Sequence, residues 1–192
     1  AVAGIDFEEV RKGAETGYRK FSGEGPAWEL AKALESAEGE GYDKVLTPFY
    51  SSRLFGFYPL VVQLMHETVC KDGKGQTFLG DMGPEIQHHT NQRLFGGKQD
   101  MVTFFFRMNS YESVSLEVPE DIQEIEIKGH HLQDFDGIDL GDNLEHEMEG
   151  VRKALEDESM PRVFLTLEEN SHAAVGELMA FLQIMAVYSA YL

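Results

Sequence analysis

A chain of 192 residues with 42% apolar side chains has material for one α/β domain with a substantial core and too little for two comfortable ones. Its formal net charge of −18 argues against nucleic acid or an anionic membrane as partner, because both would be repelled, and leaves any phosphate to local backbone N–H groups or a few basic residues. The single cysteine, Cys70, excludes an intrachain disulfide framework and fits a reducing, cytoplasmic setting.

Taken in chain order, Asp6 reads as the cap of a helix over 6–21, and Pro26 opens a second helix running to about Ala37. The glycines at 39 and 41 turn the chain into a short buried strand over Lys44–Tyr50. Ser51–Cys70 is apolar on one face and helical in length, and KDGKG at 71–75 is a turn. A strand over Thr77–Gly80 leads through Gly83 into a helix starting at Pro84. Met101–Met108 (MVTFFFRM) is almost wholly apolar and β-prone, the pattern of a parallel strand covered on both faces. Glu124–Ile127 and Arg162–Leu167 are further strand candidates. The loosest part is 109–141. An acidic helix over 141–157 and an apolar helix from about His172 complete the set. That last stretch, broken by Gln183 and Ser189, reads as a buried helix rather than a membrane span. The N-terminus lacks the basic region of a signal peptide and begins as if inside a domain. Strands alternating with helix-length segments predict βαβ units around an open parallel sheet.

Two constellations could carry chemistry. In Gln63-Leu-Met-His-Glu67 the four-residue spacing puts Gln63 and Glu67 one turn apart on one helix face, with His66 on an adjacent one. Either this is the helix's solvated stripe, or Glu67 is a carboxylate held in a cleft as a general base. The run His66-Glu-Thr-Val-Cys70 has Cys70 where a zinc helix needs its second His, and no third ligand is evident. The second constellation, Gly83-Pro-Glu-Ile-Gln87-His88-His89, places Gln87 and His88 at a helix N-terminus after a strand, where open α/β sheets contact ligands. Vicinal histidines on a helix diverge, so His88 and His89 do not readily share one ion. Neither KDGKG nor LFGGKQD has P-loop or dinucleotide spacing, and no nucleophile motif is present.

The order of these pieces resembles the phosphoglucose isomerase family. AVAGIDFEEVRKGA is similar to the stretch that follows the family's arginine-bearing motif. YSSRLFGFYPLVVQLMHETVCKDGKG resembles its Gln-Leu-x-x-Glu-Ser helix and glycine-lysine turn, and GDMGPEIQHHTNQRLFGGKQDMVTFFF its Gly-x-x-x-Gln-His segment and following strand. VGELMAFLQIMAVYSAYL resembles the helix before its lysine signature. The resemblance implies an SIS-type α/β/α three-layer sandwich, with a parallel sheet of about five strands, over residues 1–192. That is the second, C-terminal SIS domain, truncated at both ends. It further implies interconversion of glucose 6-phosphate and fructose 6-phosphate through a cis-enediol. Glu67 would shuttle the proton between C1 and C2, and Gln63 and Gln87 would contact substrate. His88 would assist ring opening and, in family dimers, reach into the neighbouring subunit's site. No cofactor or metal is required. The implied partners are the sugar phosphate, a second copy of the chain, and the rest of the parent polypeptide: a first SIS domain and a lysine-bearing segment, without which the piece is expected to be inactive. Thr68 and His89 depart from the family pattern. A sugar-phosphate-sensing SIS module without catalysis, or dual glucose/mannose phosphate specificity, are the alternatives.

Overall fold

A computed structural model describes residues 4–112 and 114–192. Helix α1 spans Phe7–Phe21, and the Asp6 carboxylate accepts the Glu8 and Glu9 backbone N–H groups at 3.0 and 3.1 Å, satisfying two donors that the helix leaves free. Helix α2 (Pro26–Gly39) starts on its proline, whose fixed φ and missing N–H cost nothing in a first turn. Then come β1 (Lys44–Phe49), α3 (Phe57–Thr68), β2 (Thr77–Met82), α4 (Gly83–Gly96) and β3 (Met101–Met108). An irregular excursion carries the two-residue strands β4 (Glu126–Ile127) and β5 (His130–His131). Helix α5 (Leu140–Asp157), strand β6 (Arg162–Leu167) and helix α6 (His172–Tyr191) complete the order.

Strands β1, β2, β3 and β6 form one parallel sheet in the order β2-β1-β3-β6. Alternate side chains of its central strands enter two separate cores, as the pleat demands. Val45, Phe49, Val102, Phe104 and Phe106 point toward α2, α3 and α6. Leu46, Tyr50, Met101 and Phe105 point toward α4 and α5. The result is the α/β/α sandwich of the SIS type expected from the sequence, with β3 buried along nearly its whole length.

Helices α1 and α6 approach more closely than ordinary side chains allow. A Cβ at Gly13 would overlap the Ala173 carbonyl, one at Gly17 the Ala180 methyl, and one at Gly176 the Val10 carbonyl. Farther along the same pair, Tyr18 hydrogen-bonds Gln183 and the Gly23 N–H reaches the Tyr188 hydroxyl at 2.5 Å. Contacts advance together along both helices, so α1 and α6 run parallel. By length and composition α6 could cross a membrane. Here Leu178, Leu182, Ile184 and Met185 are buried in the larger core, as a core helix's would be.

Two details differ from expectation. The sheet has four strands rather than about five, because the candidate at 124–127 pairs with His130–His131 in an antiparallel hairpin outside it. Lys128 and Gly129, at φ 51° and 85°, make that turn with two left-handed residues in succession, the geometry that suits a tight hairpin. The helix expected over Ser51–Cys70 is shorter, since Ser51–Gly56 folds as turns before α3 begins.

Candidate active site

Gln63 and Glu67 lie on the exposed stripe of α3, opposite Val61 and Met65 in the core. The Gln63 amide donates to Glu67 Oε1 at 3.3 Å, so the pair is joined as its spacing predicts. His66 takes a different role. Its Nε2 accepts the Phe78 backbone N–H at 2.9 Å, which places the ring proton on Nδ1 and fastens the end of α3 to the start of β2. That spends His66 on structure. Among the described residues, no group of three His, Cys, Asp or Glu could hold a metal ion. Burial pushes the Cys70 thiol up from its ordinary value, so it is poorly suited to ligation or attack.

The turn after α3 brings Lys71 and Lys74 close behind Glu67 in sequence. Asp72, Gly73 and Gly75 all have positive φ there, and the Gly75 N–H is held by Glu38 Oε1 at 2.8 Å.

Helix α4 carries the second set. Half-buried Gln87 donates from Nε2 to the Tyr50 hydroxyl at 2.9 Å. Burial pushes that hydroxyl's pKa up to about 12, so at neutral pH it remains protonated. His88 is exposed, and His89 shares a 2.6 Å hydrogen bond with the Thr90 hydroxyl. The two histidines diverge, as their helical spacing requires.

Glu67 and His88 do not meet within one chain. Helix α3 covers the face of the sheet that holds Phe49 and Phe104, and α4 covers the face that holds Tyr50 and Phe105. The sheet stands between them.

A feature that the sequence reading passed over lies at the carboxyl ends of β1 and β3. Ser51, Met108, Ser110, Tyr111, Leu144 and Asn170 line a cavity of about 440 Å³ there. The chain leaves β1 toward β2 on one side of the sheet and later crosses to β3 on the other, which opens a crevice of the kind where open α/β sheets take ligands. Its only signal in the sequence is that Ser51 and Ser110 each follow a buried strand within two residues.

No protein-family model matches the chain. A probable glucose-6-phosphate isomerase of Haloarcula marismortui is 28% identical over 97% of this chain and 42% of its own length. The glucose-6-phosphate isomerase of Rubrobacter xylanophilus is 26% identical over 96% of this chain and 42% of its own. That of Citrifermentans bemidjiense is 30% identical over 94% and 34%. The chain therefore spans roughly two fifths or less of these relatives. Among solved structures, a hypothetical protein from Thermus thermophilus superposes with a TM-score of 0.81 at 23% identity, over 97% of this chain and 45% of that one. A glucose-6-phosphate isomerase from Chlamydia trachomatis gives 0.71 at 17% identity, over 96% and 38%. Both likenesses concern the fold. Nearly the whole of this chain thus resembles, in sequence and in fold, somewhat under half of a glucose-6-phosphate isomerase.

Proposed function

We propose that this chain is the second SIS domain of an aldose–ketose isomerase that interconverts glucose 6-phosphate and fructose 6-phosphate. The observation that carries the reading is the resemblance along nearly the whole chain to relatives bearing that name, together with the joined, solvent-facing Gln63–Glu67 pair. Glu67 takes the C2 proton of the open-chain aldose. The C–H electrons form the C1–C2 double bond as the carbonyl π electrons pass to O1, which takes a proton from solvent; Glu67 then returns its proton to C1 while the C2 hydroxyl releases its own to solvent, and the ketose carbonyl forms at C2. One carboxylate over two adjacent carbons serves both transfers. Gln63 orients that carboxylate and contacts the sugar, Gln87 is a second substrate contact, and His88 exchanges the proton of the ring oxygen during opening.

Because α3 and α4 lie on opposite faces of the sheet, His88 would serve a site built around the Glu67 of a second copy. Groups to hold the phosphate and offset enediolate charge would come from polypeptide beyond these 192 residues, as the greater length of the relatives allows. The isolated chain is then inactive.

The test is Glu67→Gln in the full-length parent enzyme. Loss of kcat by about 10²–10⁴, with substrate binding retained, is the result expected of a missing general base. Unchanged turnover would sink the assignment. Parent protein that binds sugar phosphate but never turns it over would point instead to a sensing module.

A further inference from the structure

Tyr50 plays no part in the isomerase reading, yet it stands directly behind a residue that does. It follows β1, and its backbone N–H bonds the Phe106 carbonyl at 2.8 Å, so the sheet fixes its place. Its side chain is buried. The ring lies along Phe105, with centroids 6.0 Å apart. It also lies against the first residue of α4, where a Cβ on Gly83 would come within 2.6 to 2.7 Å of three ring carbons. Any side chain at position 83 would displace it. Four residues on, one turn along the same helix face, the Gln87 amide donates to the hydroxyl at 2.9 Å. The Gly-x-x-x-Gln spacing at the start of α4 is therefore a receptacle for this tyrosine: the glycine admits the ring and the glutamine takes the hydroxyl.

A phenylalanine would fill the same space, as Phe105 does beside it, so the hydroxyl needs its own reason. Any single partner would satisfy a buried hydroxyl. Here the partner is a half-buried side chain with a second polar atom to offer. Gln87 Oε1 accepts no hydrogen bond among the described residues and is not sealed from solvent. A glutamine left to itself samples several rotamers, and a ligand that it touches must stop that motion. With Nε2 tied down from behind, Oε1 is held in one place as an acceptor for a sugar hydroxyl. Burial pushes the Tyr50 hydroxyl up to about 12, so the tie is unchanged across the neutral range.

Resting on the reading of Gln87 as a substrate contact, we propose that Tyr50 is a positioning residue, which pins the Gln87 amide so that its carbonyl oxygen meets the sugar already oriented. The experiment is steady-state isomerisation of fructose 6-phosphate by the full-length parent enzyme and its Tyr50→Phe, Gln87→Ala and doubly substituted forms, well below their melting points. Tyr50→Phe should raise KM about three- to tenfold and leave kcat within about twofold. Gln87→Ala should raise KM at least as much, and the double variant no further than Gln87→Ala, because Tyr50 acts only through Gln87. A purely structural tyrosine would instead lower the active fraction, and so kcat, with KM unchanged. Unchanged KM in Tyr50→Phe, a loss confined to kcat, or a Tyr50→Phe effect that persists in full on the Gln87→Ala background would each overturn the proposal. One reading needs no substitution: in the wild-type chain the Gln87 side-chain amide should show an order parameter near the 0.85 or so of ordered backbone, and a value below about 0.6 would also overturn it. A wild-type parent without turnover would sink the isomerase reading and this refinement with it; turnover with an unaltered Tyr50→Phe KM would sink the refinement alone.

Discussion

At the amino ends of β1 and β3, the Asp100 carboxylate is 2% exposed and receives Lys44 Nζ at 2.9 Å and an Arg93 N–H at 2.6 Å. At the carboxyl ends of the same two strands, the buried Tyr111 hydroxyl has no hydrogen-bond partner among the described residues, and Ser51 lines an open cavity. One edge is closed by groups that satisfy one another; the other is left open. Burial pushes the Asp100 carboxyl up, but the hydrogen bonds and charges of Lys44 and Arg93 outweigh it and hold the group below its ordinary value. No such compensation exists at the far edge. In an open α/β sheet that is the expected division, with stability invested at one end of the strands and ligand chemistry at the other. The exposed Gln63–Glu67 pair belongs to neither edge, because it stands on the outer side of α3.

Substitutions at the two edges should separate cleanly. Asp100→Ala leaves two cations facing a buried vacancy. Because Lys44 and Arg93 are about a third exposed, rehydration limits the cost to about 2 kcal/mol. Thermal unfolding should show a drop of roughly 4–8 °C for a chain this long; an unchanged midpoint would mean that the amino edge is no better closed than the other. The same cluster sets an acid limit. With the folded carboxyl below its ordinary 3.8, its contribution is complete above about pH 4 and is lost as pH falls further through the folded value. The parent should therefore lose stability in that window more steeply than Asp100→Ala, as denaturant melts at about pH 3 and about pH 6 would show.

Tyr50→Phe removes the hydrogen bond from Gln87 at the carboxyl side and should cost about 1 kcal/mol. The parent's Tyr50 should ionise only near pH 12. Its neutral form is favoured in the folded state, so its contribution is intact below about pH 10 and fades as pH rises toward about 12. An ultraviolet titration of parent against Tyr50→Phe isolates it. The smallest effect belongs to Tyr111→Phe, which discards a buried hydroxyl that has no partner and should be neutral or slightly stabilising. A loss above about 1 kcal/mol there would erase the contrast between the edges.

Much of the scaffold was legible because single residues dictate it. Asp6 caps α1, Pro26 starts α2, and MVTFFFRM can only be a strand covered on both faces. Spacing also gave the Gln63–Glu67 contact. What spacing could not give was the side of the sheet. The alternation of Phe49 and Tyr50 sends α3, with Glu67, and α4, with Gln87 and His88, to opposite faces. The hairpin at 126–131 was misread because Glu124–Ile127 alternates like a sheet strand, while its partner is only two turn residues away. His66 was hidden for a similar reason. Its acceptor role depends on the Phe78 N–H, twelve residues on, which only the fold brings to it.

The close contact of α1 with α6 has a consequence in time. Helix α1 leaves the ribosome more than 150 residues ahead of its main partner, α6, and that contact tolerates no side chain at Gly13, Gly17 or Gly176. At typical synthesis rates that is a wait of about 10–30 seconds with the apolar side of α1 uncovered. Polar residues dominate that helix outside its narrow glycine seam, so the exposed face is small while the wait lasts. The packing of α1 is thus coupled to the arrival of α6.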